Sequence, residues 1–211
     1  MATRSITKPR AENADETPAR QRILNAAFAA FMERGFSETS TLEIATRARV
    51  SKRELYALVG SKQEMLAACI GERAKRLQLP ADMPAPYDRE TLARTLETFG
   101  TKLLREVSDP TVIAVFRLAI AEAARAPEVA QALDTVATQP SRLALREIMI
   151  RACSDSLLSG EPSEMAEQFA GLLWGNLMTN LLLRVAERPS PGEIARRARA
   201  ATAAFLQLYR S

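Results

Sequence analysis

Residues 39–64 read TSTLEIATRARVSKRELYALVGSKQE, and one short signal recurs in them. Ser40 with Glu43, Ser51 with Glu54 and Ser61 with Glu64 each make Ser-x-x-Glu. In that arrangement the serine oxygen accepts from an orphan N–H at a helix start, and the glutamate reaches back to the serine's own N–H. Starts this close together leave room only for short helices with tight turns between them. Short helices are unstable alone, so these must pack on each other and on a longer element. Ile44, Ala45, Ala48, Val50 and Leu55 supply the apolar contact, while Arg47, Arg49, Lys52, Arg53 and Lys62 place charge elsewhere. Two short helices across a tight turn, the second basic at its start, read as a helix-turn-helix.

Upstream, Thr17-Pro18 offers an N-cap with proline at the first helical position. Ile23, Leu24, Ala27, Phe28, Phe31 and Met32 then form one apolar face that Gly35 ends. This is the longer element, and Phe36 covers its corner. Residues 1–16 have no periodicity and are expected to be a mobile arm; Arg4, Lys8 and Arg10 either reach into a DNA groove or are simply solvated. Downstream, Ser61 opens a helix through Met65, Leu66, Cys69, Ile70 and Leu77 that Pro80 stops, and Pro80, Pro84 and Pro86 mark a boundary. Every later segment reads helical. Thr111–Ala126 is apolar nearly all round and expected to be central, Pro140 should kink or break the region 127–158, and Met165–Ala186 reads as one helix. Ser190 and Glu193 cap the last. The expected fold is all-α, with an arm at 1–16, a helix-turn-helix domain at 17–60, a connecting helix at 61–79 and a larger helical domain at 80–211.

Composition narrows the function. Aromatics are only 5% of the chain, so the core must be aliphatic, which favours helices over sheets. Residues 1–79 hold 14 Lys and Arg against 9 Asp and Glu, a net +5, while residues 80–211 net −1. The positive excess therefore sits where a polyanion would bind. The sequence has no histidine, which removes the commonest general base and transition-metal ligand and weighs against a hydrolase or metalloenzyme. Cys69 and Cys153 are far apart and suggest neither metal site nor disulfide framework, so no cofactor is expected and the chain reads as reduced and cytoplasmic. The start lacks the apolar core of a signal peptide, and no run is long enough to span a membrane.

The residues ILNAAFAAFMERGF, TSTLEIA, VSKRELY and GSK resemble the N-terminal domain of the TetR family of bacterial transcriptional regulators. RLAIAEAARAPEVAQAL, with the later WGNLM, PSPGEI and FLQLY, resembles the AefR-like C-terminal domain of some members. The resemblance implies a three-helix DNA-binding domain followed by a larger ligand-binding and dimerising helical domain. It starts the second helix at Ser40 and the recognition helix at Ser51, and puts Tyr56 and Lys62 at positions that commonly meet phosphates. Three positions depart from the family pattern. Arg49 stands at the usual turn glycine, which in a left-handed conformation would cost about 1–2 kcal/mol. Leu58-Val59 replaces an aromatic pair, and Leu42 replaces a polar residue.

Within that frame Lys52 and Arg53 occupy the turn that meets base edges, and Arg53 can take guanine O6 and N7 together. Both could equally meet only phosphates. Glu54 is expected to cap rather than to accept from cytosine. Ser40, Thr41, Tyr56 and Lys62 read as backbone contacts that fix register, and Ser51, at the start of the recognition helix, is counted with the DNA-binding residues. A homodimer on a pseudo-palindromic double-stranded DNA operator is expected, joined through the last two helices by residues drawn from Phe169, Leu172, Leu173, Leu177, Leu181, Ile194, Phe205 and Leu208, some of which serve the core. A small apolar or amphipathic effector is expected among Phe99, Phe116, Arg117, Met149, Trp174, Asn176, Met178 and Asn180, the two asparagines sharing a helical face. The asparagines could instead serve structure or the dimer contact. Two rival readings stand beside this repressor: the same fold controlled by a protein partner, and an all-α enzyme or ligand carrier.

Overall fold

The computed structural model describes residues 18–74 and 86–209, which are helical with no strand among them. The arm with Arg4, Lys8 and Arg10, the Thr17 cap, Leu77, and Pro80 and Pro84 lie outside the described residues. The chain divides into two compact units, Met1–Cys69 and Ile70–Ser211.

In the first unit α1 (Pro18–Arg34) buries Ile23, Leu24, Ala27, Ala30 and Phe31. Gly35 ends it at φ 85°, its N–H donating to Phe31 O at 2.9 Å. The short helices α2 (Thr41–Ala48) and α3 (Lys52–Leu58) pack on α1 through Ile44, Ala45, Ala48 and Leu55, all buried. The serine half of each cap is present: Ser40, Ser51 and Ser61 Oγ accept from Glu43, Glu54 and Glu64 N–H at 3.1, 3.0 and 3.2 Å. The glutamate half differs. At the start of α4 (Lys62–Ala74), Glu64 Oε2 accepts from Ser61 N–H at 2.7 Å and closes the box. Glu43 instead turns to Arg47 at 2.7 Å and Arg34 at 3.4 Å, an attraction from two cations that outcompetes one neutral N–H.

The α2–α3 turn is a Schellman motif. Arg49 N–H donates to Thr46 O and Val50 N–H to Ala45 O, with Arg49 left-handed at φ 56°, ψ 48°. The arginine thus adopts the conformation that its position demands. Arg22 Nε donates to Ala48 O at 3.2 Å, tying the last turn of α2 to α1.

The second unit comprises α5 (Arg89–Val107), α6 (Pro110–Glu122), α7 (Pro127–Leu133), α8 (Gln139–Ser154), α9 (Pro162–Trp174), α10 (Leu177–Leu182) and α11 (Pro191–Leu208). Its core lies where α11 runs along α5 and α9, with Leu92, Leu96, Phe99, Phe169, Leu173, Ala198 and Phe205 enclosed. The Phe169 and Phe205 rings meet edge to face at 5.5 Å.

Two expectations are corrected and one takes a particular form. Helix α6 is not central: it contributes Ile113 to this core, and Ile120 is 62% exposed. The kink or break expected at Pro140 is a π-helical turn at Asp134–Thr138, which interrupts the regular helix before α8 continues. Proline has no N–H to return to Val136 O, and the wider turn accommodates its ring. Met165–Ala186 is not one helix, for Gly175 at φ 45°, ψ −126° breaks it between α9 and α10. Of the apolar residues expected in excess on the last helices, only Leu172 and Leu208 are largely exposed; the others fill the core or its edge.

Candidate nucleic-acid interface and effector cavity

The exposed side of the first unit is set by α3, which buries only Leu55. Lys52, Arg53, Glu54 and Tyr56 are therefore exposed together. Tyr56 Oη and Thr41 Oγ1 lie 3.2 Å apart, joining the exposed face of α3 to the start of α2. Lys52 Nζ stands 6.0 Å from the centre of the Tyr56 ring, placing a cation beside that pair. At the start of α2 the N–H groups of Thr41 and Leu42 have no helical acceptor, so this edge offers donors to an anion. Ser40 is exposed beside them with its oxygen engaged in the cap, as the oxygen of Ser51 is in the next helix. Leu42 is 63% exposed on the same start.

The cations of the stretch separate into two kinds. Arg47 is held between Glu33 and Glu43, both at 2.7 Å, and the Glu33 hydrogen bond chiefly raises its pKa. Arg49 and Arg53 pair with no carboxylate among the described residues, and the same holds for the Glu54 carboxylate toward cations. Lys62 is the surprise. Its Nζ donates to Phe36 O at 2.9 Å, Thr39 O at 3.1 Å and Ser37 O at 3.3 Å, and lies 4.5 Å from the centre of the Phe36 ring. An ammonium has three donors, and all three are occupied. These contacts make Lys62 a structural tie within the unit, beside the phosphate contact expected of its position.

The residues expected to line one ligand pocket separate as well. Phe116, Trp174 and Met178 border a cavity of about 340 Å³ in the second unit. Its apolar walls come from Leu103 and Val107 of α5, Val112 of α6, Leu145 of α8 and Ala170 of α9, and its polar edge is Thr138, Ser141 and Arg142. Phe99 and Met149 are packed into the core, 3% and 0% exposed. Arg117 donates to Leu181 O and Leu182 O, capping α10. Asn176 and Asn180 do share a face, but it borders a groove against α11 together with Arg196 and Arg197. Within α10 two residues along the helix rotate about 200°, so Met178 and Asn180 cannot face one site.

Comparison with known proteins follows the same division of the chain. Residues 23–69 match the family described as bacterial regulatory proteins of the tetR family, and residues 94–211 match the AefR-like transcriptional repressor C-terminal domain. The chain belongs to the TetR family of transcriptional regulators. This is a family of regulators rather than of enzymes. An HTH-type transcriptional repressor of Mycobacterium tuberculosis is 29% identical over 136 residues, covering 64% of this chain and 68% of that protein. Among solved structures, a TetR-family regulator from Mesorhizobium loti superposes with a TM-score of 0.73 at 25% identity, over 93% of this chain and all of that one. The protein titled flavonoid-responsive regulator FrrA gives 0.77 at 27% identity, over 91% of this chain and 97% of its own.

For this TetR-family member, sequence reasoning missed Thr138, Ser141 and Arg142. The signal available was Pro140, which lies among them and follows the π-helical turn that ends at Thr138. Among the described residues no helix is long and apolar enough to cross a membrane.

Proposed function

We propose that this regulator is a homodimeric repressor of a pseudo-palindromic operator, released when a small apolar or amphipathic effector fills the α5–α10 cavity. The observation that carries the DNA part is the start of α3, where Lys52 and Arg53 are exposed and no described carboxylate pairs with Arg53. Arg53 is assigned to guanine O6 and N7, and Thr41, Lys52 and Tyr56 with the first N–H groups of α2 to phosphates. The two oxygens of Ser40 and Ser51 act through the caps, by fixing where those helices begin. One such domain is too small for useful affinity, so two act together on half-sites about 34–36 Å apart or a multiple of that. The groove between the α9–α10 run and α11, with Leu172 at its edge, is the face assigned to the second copy.

Release requires an effector that binds one spacing of the two DNA-binding units better than the other, since equal affinity shifts nothing. The flavonoid-responsive neighbour supports an aromatic effector, and the Phe116 and Trp174 walls suit one. Sequencing the genomic DNA fragments that the protein retains tests the reading. Enrichment of a symmetric sequence is expected. Retention without any symmetric sequence would remove the dimeric operator, and no retention even at low salt, where phosphate attraction is greatest, would remove DNA binding itself.

A further inference from the structure

The cavity of the second unit is apolar except along one edge, and that edge is not neutral. Arg142 brings to it the single charged side chain among the described lining residues. Its side chain is 70% exposed, so the cavity meets solvent there. Its one described carboxylate neighbour is Asp134, with Nη1 3.4 Å from Oδ1. Asp134 has better donors: Thr138 Oγ1 at 2.8 Å on Oδ1 and Gln139 Nε2 at 3.0 Å on Oδ2. The carboxylate is therefore satisfied without the guanidinium, which is loosely engaged and can turn to another anion. The hydroxyls at this edge do not compete for that role. Thr138 donates its hydrogen to Asp134, and Ser141 donates to Ala137 O at 3.2 Å, so both present lone pairs that repel an anion and accept from a hydroxyl.

We propose that the effector is an aromatic monoanion, its ring against Phe116 and Trp174 and its acidic group on Arg142 at the cavity edge. The inference rests on the effector reading above and adds the charge of the ligand. A cavity of about 340 Å³ accommodates two or three fused or linked rings. Apolar walls supply burial for the rings but no discrimination among them. Arg142 supplies discrimination, since a guanidinium beside low-dielectric walls favours a planar anion over its neutral counterpart. Asp134 sets the threshold: a ligand must offer Arg142 a closer anion than the 3.4 Å partner it has.

A matched pair of dyes tests this on the full-length protein. 8-Anilino-1-naphthalenesulfonate and N-phenyl-1-naphthylamine share their rings and differ by the sulfonate. Trp174 is the only tryptophan of the chain and lines this cavity, so energy transfer from it reports a dye bound in its neighbourhood, and loss of that transfer in Ala170→Phe, which fills the cavity, places the dye inside it. Both dyes are expected to take energy from Trp174. Arg142→Gln should weaken the sulfonate about tenfold, the loss of one hydrogen bond to a charged group, and change the neutral dye less than twofold. An unchanged sulfonate affinity in Arg142→Gln, or equal weakening of both dyes, would overturn the charge assignment. Transfer to the neutral dye alone would overturn it too while leaving the effector cavity standing. Transfer to neither dye would bring down the cavity reading and the charge assignment together.

Discussion

Replacing Lys62 by methionine keeps most of the aliphatic stem and removes the ammonium, which isolates what that group does. Three carbonyls lose their donor, of Phe36, Ser37 and Thr39, along with the stacking on the Phe36 ring. A hydrogen bond to a charged group contributes roughly 1.5–3 kcal/mol, and a cation over a ring about 0.5–1 kcal/mol. The contributions do not add, because one cation serves all three and the exposed Ser37 carbonyl can turn to water. A loss of about 2–4 kcal/mol in the first unit remains. For a domain of this size that lowers the melting temperature by about 8–30 °C. Amide hydrogen exchange resolved to α1–α3 is the direct assay, since it separates this unit from the rest of the chain. Affinity for DNA, measured at permissive temperature across a salt series, should keep its salt slope. A phosphate contact would behave oppositely, with protection unchanged and the slope shallower by about 0.9 for each subunit bound, about 1.8 for a dimer. That second pattern would refute the tie and assign Lys62 to the DNA interface.

Other substitutions test neighbouring arguments. Arg49→Gly removes a left-handed strain of about 1–2 kcal/mol and loosens the unfolded chain by about 0.4–1 kcal/mol, so a gain of up to about 1 kcal/mol is expected in denaturant unfolding. A loss would mean that the arginine side chain contributes a contact not seen in the structure. Arg53→Ala should reduce the preference for operator over random DNA by about 1–3 kcal/mol per half-site while leaving random binding nearly intact; equal weakening of both would remove base reading from Arg53. The Glu64 carboxyl is held below its ordinary 4.5 by the Ser61 backbone N–H first and the Ser61 side chain next. The unfolded chain then takes up this proton before the folded one does. The melting difference between the protein and Glu64→Gln should be full above about pH 4.5 and shrink as pH falls through the folded value. A difference that grows on acidification would contradict the cap.

The DNA-binding unit was legible because its determinants are local. Ser40, Ser51 and Ser61 mark helix starts by a hydrogen bond three residues long, and the left-handed Arg49 follows from the lack of room for anything else in the turn. What escaped depends on residues distant in sequence. Glu43 leaves its cap for Arg47, which Glu33 on α1 also holds and to which Arg34 of α1 adds a second cation, and Lys62 is taken by carbonyls 23 to 26 positions earlier. The cavity was legible only in part. Phe116, Trp174 and Met178 were named, but apolar periodicity cannot say which face of a helix meets a void and which meets a neighbour. The break at Gly175-Asn176 carried a local sign, a turn pair within an apolar run, that the surrounding leucines obscured.

Helix α10 is six residues long, too short to persist by its own hydrogen bonds. Two arginines from different helices bracket it: Arg197 of α11 donates to Trp174 O just before it, and Arg117 of α6 takes the Leu181 and Leu182 carbonyls at its end. Met178, a wall of the cavity, is carried on this clamped segment. Leu177 and Leu181 of the same segment are buried in the core that α5, α9 and α11 share, so the two guanidiniums hold the polar ends of a helix whose apolar side is already anchored. Order in this stretch of the cavity wall is thus borrowed from α6 and α11, and loss of either arginine would fray α10 from that end inward.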